Sequence, residues 1–305
     1  MFACFSERDA QMKKRNSTQA PWIRMILKII LVVLLLLAMY YLVYYLTFSN
    51  LEITYLRLKS SPTLEELNFP PVSETWDTDS IPKIIHHSAP ANRKRWPPLW
   101  HICLDSFYEH FPEADGYVHK IWTDEDISAM VRQEYPDYYP YFLAYKYDIQ
   151  RFDVIRYLIL YKFGGIYADM DVICYRNFYE YLQPGRAAVA ESNNKSEGYQ
   201  NALMASPAFH PFWRYVMEDV LAYRHVELPG QKASTVFATT GPQVMVRVVG
   251  SVPSSMFQSL PSARFMPTTY TYDSSKSKDI MDSLTSIRDD PNVFTNHLMT
   301  GVWNR

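Results

Sequence analysis

The sequence of 305 residues contains little cysteine and little glycine, and its charges nearly balance. Three cysteines cannot build a disulfide scaffold, and no Cys-x-x-Cys pair offers a zinc site. The nine glycines form neither the Gly-x-Gly-x-x-Gly of dinucleotide-binding folds nor the phosphate loop that ends in Gly-Lys-Ser/Thr. A formal net charge of −2 provides no basic footprint, so we expect no nucleic-acid partner.

Apolar residues, in contrast, are abundant. They make up 48% of the chain, and 15% of the chain is aromatic, which excludes a disordered or fibrous protein. The longest apolar run, residues 25–47, contains one charge at Lys28 and can cross a hydrocarbon core of roughly 30 Å. We predict a transmembrane helix here. A cleaved signal peptide is the alternative, but its apolar region would cover only about 7–15 residues.

The distribution of basic residues predicts how this segment is oriented. The basic residues that precede it are Arg8, Lys13, Lys14, Arg15 and Arg24. Because positive charge stays on the cytosolic side, residues 1–24 should form a cytosolic tail and the chain after residue 47 should be lumenal. We therefore predict a single-pass type II membrane protein, with a stem at 48–80 and a folded lumenal domain at 81–305.

Strand-like and helix-like segments alternate through the predicted domain. Strands are predicted at 83–86, 117–122, 166–172, 187–190 and 202–205. Helices are predicted at 98–110, 124–134, 148–163 and 211–223. This alternation is typical of an α/β sandwich with a largely parallel sheet.

One helix-turn-strand unit carries most of the polar side chains of interest. Asp153 and Arg156 lie three positions apart on the helix predicted at 148–163, so they share one of its faces. Gly164-Gly165 closes that helix and turns the chain into the next strand. The pair at 153 and 156 is either functional or a structural ion pair of a buried helix.

The strand predicted at 166–172 places a tyrosine and two carboxylates on one side. Side chains alternate along a strand, so Tyr167, Asp169 and Asp171 should point the same way. Open α/β sheets bind ligands at the carboxyl ends of their strands. Neighbouring carboxylates repel each other unless a cation lies between them, and oxygen ligands favour Mg²⁺ or Mn²⁺. Such an ion would hold a diphosphate leaving group.

An Asp-x-Asp pattern alone is weak evidence, because the chain contains three. The copies at 77–79 and 124–126 lie in the predicted stem and at a helix start, where solvated or capping acids are expected. The third copy also resembles the nucleophile motif of haloacid-dehalogenase-like phosphohydrolases, with Asp169 as nucleophile. Ile173 departs from the Thr or Val of that motif.

Several sequence pieces together resemble glycosyltransferase family 32, which contains fungal mannosyltransferases. These pieces are IPKIIHH at 81–87, IWTDEDI at 121–127, QEYP at 133–136, YKYDIQRFDVIRYLILYKFGGIYADMDVICYR at 145–176, NALMASPAFHPFW at 201–213, TTGP at 239–242 and NHLMTGVW at 296–303. The chain looks most like the catalytic subunits of the inositol phosphoceramide mannosyltransferase branch. Two departures stand out: His86-His87-Ser88-Ala89 where the family has His-Gln-Thr-Trp, and Val302 where it has Ser.

The resemblance implies a GT-A type nucleotide-sugar-binding sandwich and a retaining glycosyltransferase that depends on Mn²⁺ or Mg²⁺. The implied reaction transfers mannose from GDP-mannose to inositol phosphoceramide in the Golgi membrane. The alternatives are an α-mannosyltransferase for protein-linked glycans, a transferase that uses a UDP-sugar, and a membrane-anchored pseudoenzyme or binding module. A regulatory subunit is left open.

The resemblance also implies a role for individual residues. Asp153, Arg156 and Asp171 would be catalytic. The residues implied to bind the donor are Ile84, Asp153, Arg156, Tyr167, Asp169 and Trp303. Asp169, Asp171 and His297 would hold the metal ion.

Overall fold

The computed structural model describes residues 23, 25–43, 61–71, 80–195, 197–228, 230–268 and 287–300. The chain divides into two compact units, Met1–Ser60 and Ser61–Arg305. The first unit contains helix α1 (Met25–Val43), whose length and apolar composition suffice to cross a membrane. Residues 44–47 of the predicted span lie outside the described residues.

The second unit alternates strands and helices. Its strands are β1 (Ile84–Ser88), β2 (Val118–Trp122), β3 (Gly165–Ala168), β4 (Val172–Cys174), β5 (Ala187–Glu191), β6 (Tyr199–Ser206), β7 (Phe257–Leu260) and β8 (Thr295–His297). Its helices are α2 (Pro98–His110), α3 (Asp124–Glu134), α4 (Tyr139–Leu143), α5 (Asp148–Phe163), α6 (Phe212–Tyr223), α7 (Lys232–Thr239), α8 (Pro242–Val249) and α9 (Ser262–Phe265).

Six of the strands form one mixed sheet in the order β2-β1-β3-β6-β5-β7. The β1–β2, β1–β3 and β5–β7 pairs are parallel, whereas β6 runs antiparallel to both β3 and β5. Five strands therefore share one direction, which confirms the α/β class and the largely parallel sheet. β4 and β8 form a separate antiparallel pair.

The sheet is covered on both faces. Tyr167 and Met204 point to a core shared with α3, α5, α6 and α8. Ile166 and Ala205 point to a second core, which includes Phe107 of α2. The strand sequences are apolar on both sides for this reason, as expected of a sheet between two helical layers.

The strand predicted at 166–172 is broken in two. β3 ends at Ala168, and Val172 N–H donates to the Asp169 carbonyl at 3.0 Å, which closes a turn. The chain then resumes as β4, which pairs with β8 instead of joining the main sheet. The prediction of one continuous strand was wrong because a distant segment provides the partner for β4. The two aspartates therefore lie on a turn and not on alternate positions of a strand.

The boundary between stem and domain also differs from the prediction. Residues 61–71 fall in the predicted stem at 48–80 but pack on the second unit. Phe69 stacks on Tyr135 and Tyr161, with ring centroids 4.9 and 5.1 Å apart. Arg214 donates to the Pro70 carbonyl at 2.9 Å. The folded unit begins at Ser61 instead of residue 81, because this short segment covers apolar surface that the helices would otherwise expose.

Candidate active site

The Asp-Met-Asp turn lies where β3 ends, at the sheet edge formed by the carboxyl ends of β1, β2 and β3. Gly164 and Gly165, which both have positive φ, set the path of the chain from α5 into β3. A Cβ on Gly165 would lie 2.5 Å from the Ile84 carbonyl oxygen of β1. Glycine here lets β3 lie directly beside β1, and so sets the position of the turn four residues later.

Asp169 is held by two different donors. Arg156 Nη1 donates to Asp169 Oδ2 at 3.0 Å, and the Tyr167 hydroxyl donates to Oδ1 at 3.0 Å. The Ser88 hydroxyl lies 2.7 Å from that of Tyr167, which links the end of β1 to the same carboxylate. Burial raises the pKa of Asp169, while the Arg156 charge opposes the rise. The carboxylate therefore has a fixed orientation before any ligand arrives.

Asp171 is held by the chain segment around β8. Its Oδ2 accepts from both the backbone N–H and the hydroxyl of Thr300, each at 2.8 Å. His297 Nε2 lies 3.2 Å from Oδ1. Although burial opposes ionisation, His297 and these hydrogen bonds lower the pKa of Asp171 to about 2. Burial alone would lower the pKa of His297, but the charge and hydrogen bond of Asp171 outweigh it and raise that pKa.

Asp169, Asp171 and His297 fit a divalent cation. Each offers one ligand atom, and these three atoms all lie within 4.8 Å of one another. Two carboxylates and one imidazole form a donor set that suits Mn²⁺ or Mg²⁺ better than a thiolate-binding metal. The Nδ1 of His297 is buried without a hydrogen-bond partner, so this ring retains a nitrogen that the protein leaves unused.

Asp153 and Arg156 form a buried ion pair beside this cluster. Arg156 Nη2 lies 3.1 Å from Asp153 Oδ1. Asn201 donates to Asp153 Oδ1 and Thr240 donates to Oδ2, each at 3.0 Å. Burial raises the pKa of Asp153 to about 6, although Arg156 opposes this shift. Arg156 thus bridges Asp153 and Asp169, which makes one continuous polar cluster.

The structure describes seven of the predicted site residues. Asp153, Arg156, Tyr167 and Asp169 are joined by hydrogen bonds or ion pairs. Asp171 and His297 pair with each other, and their ligand atoms lie within 4.8 Å of that of Asp169. Ile84 is the exception. It opens β1 and pairs with Val118, so it lies at the opposite end of the strand from Ser88, about 13 Å away by strand rise. Ile84 therefore lies away from the cluster, and the residue of β1 that reaches it is Ser88. Trp303 lies outside the described residues.

The sequence reasoning missed four polar residues of the cluster: Ser88, Asn201, Thr240 and Thr300. Asn201 and Thr240 begin or lie within the NALMAS and TTGP pieces of the family resemblance, which is the one signal that could have identified them. Thr300 likewise lies within the NHLMTGVW piece, but nothing in the local sequence links it to Asp171, since they are 129 positions apart.

The two adjacent histidines of β1 hold β3 at both of its ends. His86 Nε2 lies 3.0 Å from the Gly164 carbonyl, before β3. His87 Nδ1 lies 2.8 Å from the Ala168 carbonyl, at its end. Burial lowers the pKa of His86 to about 4 and that of His87 to about 3, so both rings are neutral. They serve in packing and hydrogen bonding.

Part of this cluster lies in a region that matches a known family. Residues 97–194 match the model of the glycosyltransferase sugar-binding region containing DXD motif. Inositol phosphoceramide mannosyltransferase 1 of Schizosaccharomyces pombe is 30% identical over 166 residues, which cover 54% of this chain and 50% of that protein. Mannosyl phosphorylinositol ceramide synthase CSH1 of Saccharomyces cerevisiae is 34% identical, covering 53% of this chain and 40% of that protein.

The chain thus spans half or less of the length of these two relatives. Among solved structures, the PaToxG glycosyltransferase covers 64% of this chain and 78% of its own, with 19% identity and a TM-score of 0.43. The family match contains Asp153, Arg156, Tyr167, Asp169 and Asp171. Residues 97–194 therefore resemble a DXD-containing glycosyltransferase sugar-binding region, and the predicted resemblance to glycosyltransferase family 32 and its inositol phosphoceramide mannosyltransferases is confirmed.

Proposed function

We propose that the protein is a metal-dependent retaining glycosyltransferase of the GT-A type that transfers mannose from GDP-mannose to inositol phosphoceramide. The single observation that carries this proposal is the cluster in which Arg156 joins Asp153 to Asp169, beside Asp171 and His297. The mannosyltransferase names of the relatives supply the sugar and the acceptor.

The donor would lie along this cluster. A Mn²⁺ or Mg²⁺ ion held by Asp169, Asp171 and His297 would supply positive charge to the diphosphate. Arg156 is buried and permanently charged, so it would stabilise the same diphosphate as negative charge develops on it. Asp153 would accept hydrogen bonds from hydroxyls of the sugar. Asn201 and Thr240 hold its carboxylate in place for this contact.

The geometry favours attack on the face from which the diphosphate departs. A double displacement needs a free carboxylate beneath the anomeric carbon. Asp153 is buried, and both of its oxygens accept hydrogen bonds from the protein. In the proposed step the bond from the anomeric carbon to the phosphate oxygen breaks as the acceptor oxygen bonds to the same carbon. The acceptor proton passes to the departing phosphate.

Helix α1 agrees with an acceptor that resides in a bilayer. We propose that α1 anchors the protein as a single-pass type II protein of the Golgi membrane with Ser61–Arg305 in the lumen.

A transferase for protein-linked glycans and a UDP-sugar transferase would share the same cluster and would differ in the substrates that they use. A phosphohydrolase is less well supported, because Ile173 departs from the Thr or Val of its nucleophile motif.

Transfer of radiolabelled mannose tests this proposal. The full-length protein in detergent should convert inositol phosphoceramide when Mn²⁺ and GDP-mannose are present. Asp171→Asn should lower the rate by at least about 100-fold, because it removes a charge that the proposed metal ion requires. Asp105→Asn, at an exposed acid of α2, should leave the rate unchanged. Binding of GDP-mannose without any transfer would instead indicate a pseudoenzyme, and full activity of Asp171→Asn would contradict the assigned site.

A further inference from the structure

A cleft of about 370 Å³ lies between the amino-terminal ends of α3 and α5 and the end of α4. Its apolar lining consists of Ile127, Phe142, Leu143 and Phe152, and its polar lining of Asp124, Ser128, Asp148 and Arg151. This volume falls in the range of roughly 300–1,000 Å³ that small-molecule pockets occupy. Apolar walls with a few polar groups are the usual composition of such pockets.

The cleft opens at the same sheet edge as the polar cluster. α3 begins two residues after β2 ends at Trp122, so its first turn lies at the carboxyl edge of the sheet. α5 leads into β3, so its first turn lies at that edge as well. Phe152 lines the cleft, and its carbonyl accepts a hydrogen bond from Arg156 Nε at 3.2 Å. The cleft and the buried ion pair therefore share one turn of α5.

The strand order indicates which part of a bound donor would reach the cleft. The sheet runs β2-β1-β3-β6, with the Asp169 turn at the end of β3. Asp153 faces Asn201 of β6, whereas the cleft lies on the side of β2 and α3. With the diphosphate at the turn and the sugar at Asp153, the nucleoside extends in the opposite direction, toward the cleft.

Two carboxylates lie in the cleft, and they differ in their partners. Asp148 forms an ion pair with Arg151, which also donates to the Tyr145 carbonyl. The Asp124 carboxylate forms no ion pair with another side chain in the described part of the chain. Partial burial and the carboxylates of Glu125 and Asp148 raise the pKa of Asp124. Among the described residues, Asp124 is thus the acid of this cleft that no cationic side chain neutralises through an ion pair, so its carboxylate is available to a ligand.

We propose that Asp124 selects guanine over uracil, by accepting hydrogen bonds from the base while Phe142 and Phe152 contribute apolar walls. This inference rests on the proposed function and specifies its donor. The Watson–Crick edge of guanine presents two adjacent donors, N1–H and the N2 amino group, which match the two oxygens of one carboxylate. Uracil presents one N–H between two carbonyl oxygens, and those oxygens would face the carboxylate without a donor.

Calorimetric titration of the full-length protein in detergent, with Mn²⁺ and either GDP or UDP, tests the inference. The wild-type protein should bind GDP more tightly than UDP. Asp124→Asn should weaken GDP binding about 10- to 100-fold, which is the loss expected when a charged acceptor of two hydrogen bonds is replaced. UDP binding should change less than about twofold. Asparagine keeps the size of the side chain, and Thr123 and Asp126 still cap α3, so the fold should persist.

Glu125→Gln is the matched control, because it neutralises the adjacent exposed acid that does not line the cleft. Its GDP-to-UDP affinity ratio should equal that of the wild type. An unchanged ratio in Asp124→Asn would overturn the inference while the transferase proposal stands. A wild-type preference for UDP would overturn the inference and also GDP-mannose as the donor, while leaving glycosyl transfer itself in place. Binding of neither nucleotide by a folded wild-type protein would overturn both.

Discussion

At the residue scale, the protein neutralises its own carboxylates. The sequence suggested that Asp169 and Asp171 need a metal ion because adjacent carboxylates repel. The structure instead provides Arg156 for Asp169 and His297 for Asp171. The proposed metal site is therefore preorganised: Arg156 and His297 offset the charges of the two carboxylates, and hydrogen bonds from neighbouring residues fix their orientation.

Tyr167 is a residue whose hydrogen bond orients Asp169, so its substitution should change the affinity for Mn²⁺. Tyr167→Phe removes the hydroxyl that joins Ser88 to Asp169, so Asp169 loses a fixed orientation. Affinity for Mn²⁺ should fall about 10-fold or more, as measured by titration calorimetry. Tyr117→Phe, which removes a hydroxyl bonded to Asn177 away from the cluster, should leave the affinity unchanged. A Tyr167→Phe protein with wild-type affinity would show that Arg156 alone positions Asp169.

The pKa of Asp153 predicts how donor binding depends on pH. Burial holds this pKa at about 6, so the protonated fraction grows as the pH falls through that value. The protonated acid loses the charge that pairs with Arg156 and accepts sugar hydroxyls. The dissociation constant for GDP-mannose should therefore rise about 10-fold for each pH unit below 6 and stay level above about 7. In Asp153→Asn, binding should be weaker and this slope should vanish. The same slope in the variant would assign it to another group, such as His297.

At the scale of elements, periodicity and turn chemistry predicted most of the second unit. The bounds of α2, α3 and α5 agree with the prediction, because Pro98, Thr123 and Gly164 mark their ends. The break of β3 was not predictable, since it depends on the pairing of β4 with β8 across more than 120 positions. Local sequence determines local elements, whereas an exchange of strand partners is decided by the whole fold.

The junction of α5 and β3 depends on Gly165. In Gly165→Ala the new methyl would lie 2.5 Å from the Ile84 carbonyl oxygen, so β3 could not keep its place beside β1. The free energy of unfolding should fall by more than about 3 kcal/mol in urea denaturation. Gly116 has a similar positive φ but no atom within 4 Å of such a methyl. Gly116→Ala should therefore cost only about 1–2 kcal/mol of backbone strain. Equal losses in the two variants would contradict a role for close strand contact.

At the scale of the whole molecule, the folded unit includes residues that look like a linker. Residues 61–71 lack periodicity, and their composition predicted a stem. Leu64, Leu67 and Phe69 are nevertheless buried in the core on the α5 side of the sheet. Composition could not reveal this, because the segment is stabilised by the surface of helices far from it in sequence.

A substitution at Phe69 would measure how much residues 61–71 stabilise the folded unit. Phe69→Ala in the full-length protein should lower the free energy of unfolding by about 3–5 kcal/mol, because the ring is 4% exposed between two tyrosines. Urea denaturation followed by tryptophan fluorescence would measure the loss. Leu143→Ala, at a side chain that is 53% exposed, should stay within about 0.5 kcal/mol of the wild type. If Phe69→Ala lowered the free energy of unfolding as little as Leu143→Ala, residues 61–71 would belong to the predicted stem and not to the folded unit.

The link between Thr300 and Asp171 also has a consequence for the timing of biosynthesis. The ribosome makes the Asp-Met-Asp turn long before it makes Thr300, which follows Asp171 by 129 positions and donates two of its hydrogen bonds. His297 arrives equally late. A nascent chain that has emerged only as far as β7 can build most of the main sheet but holds an incomplete metal site. Competence to bind the proposed metal ion is thus gained only once residue 300 has been made, after the scaffold around the site has had time to form.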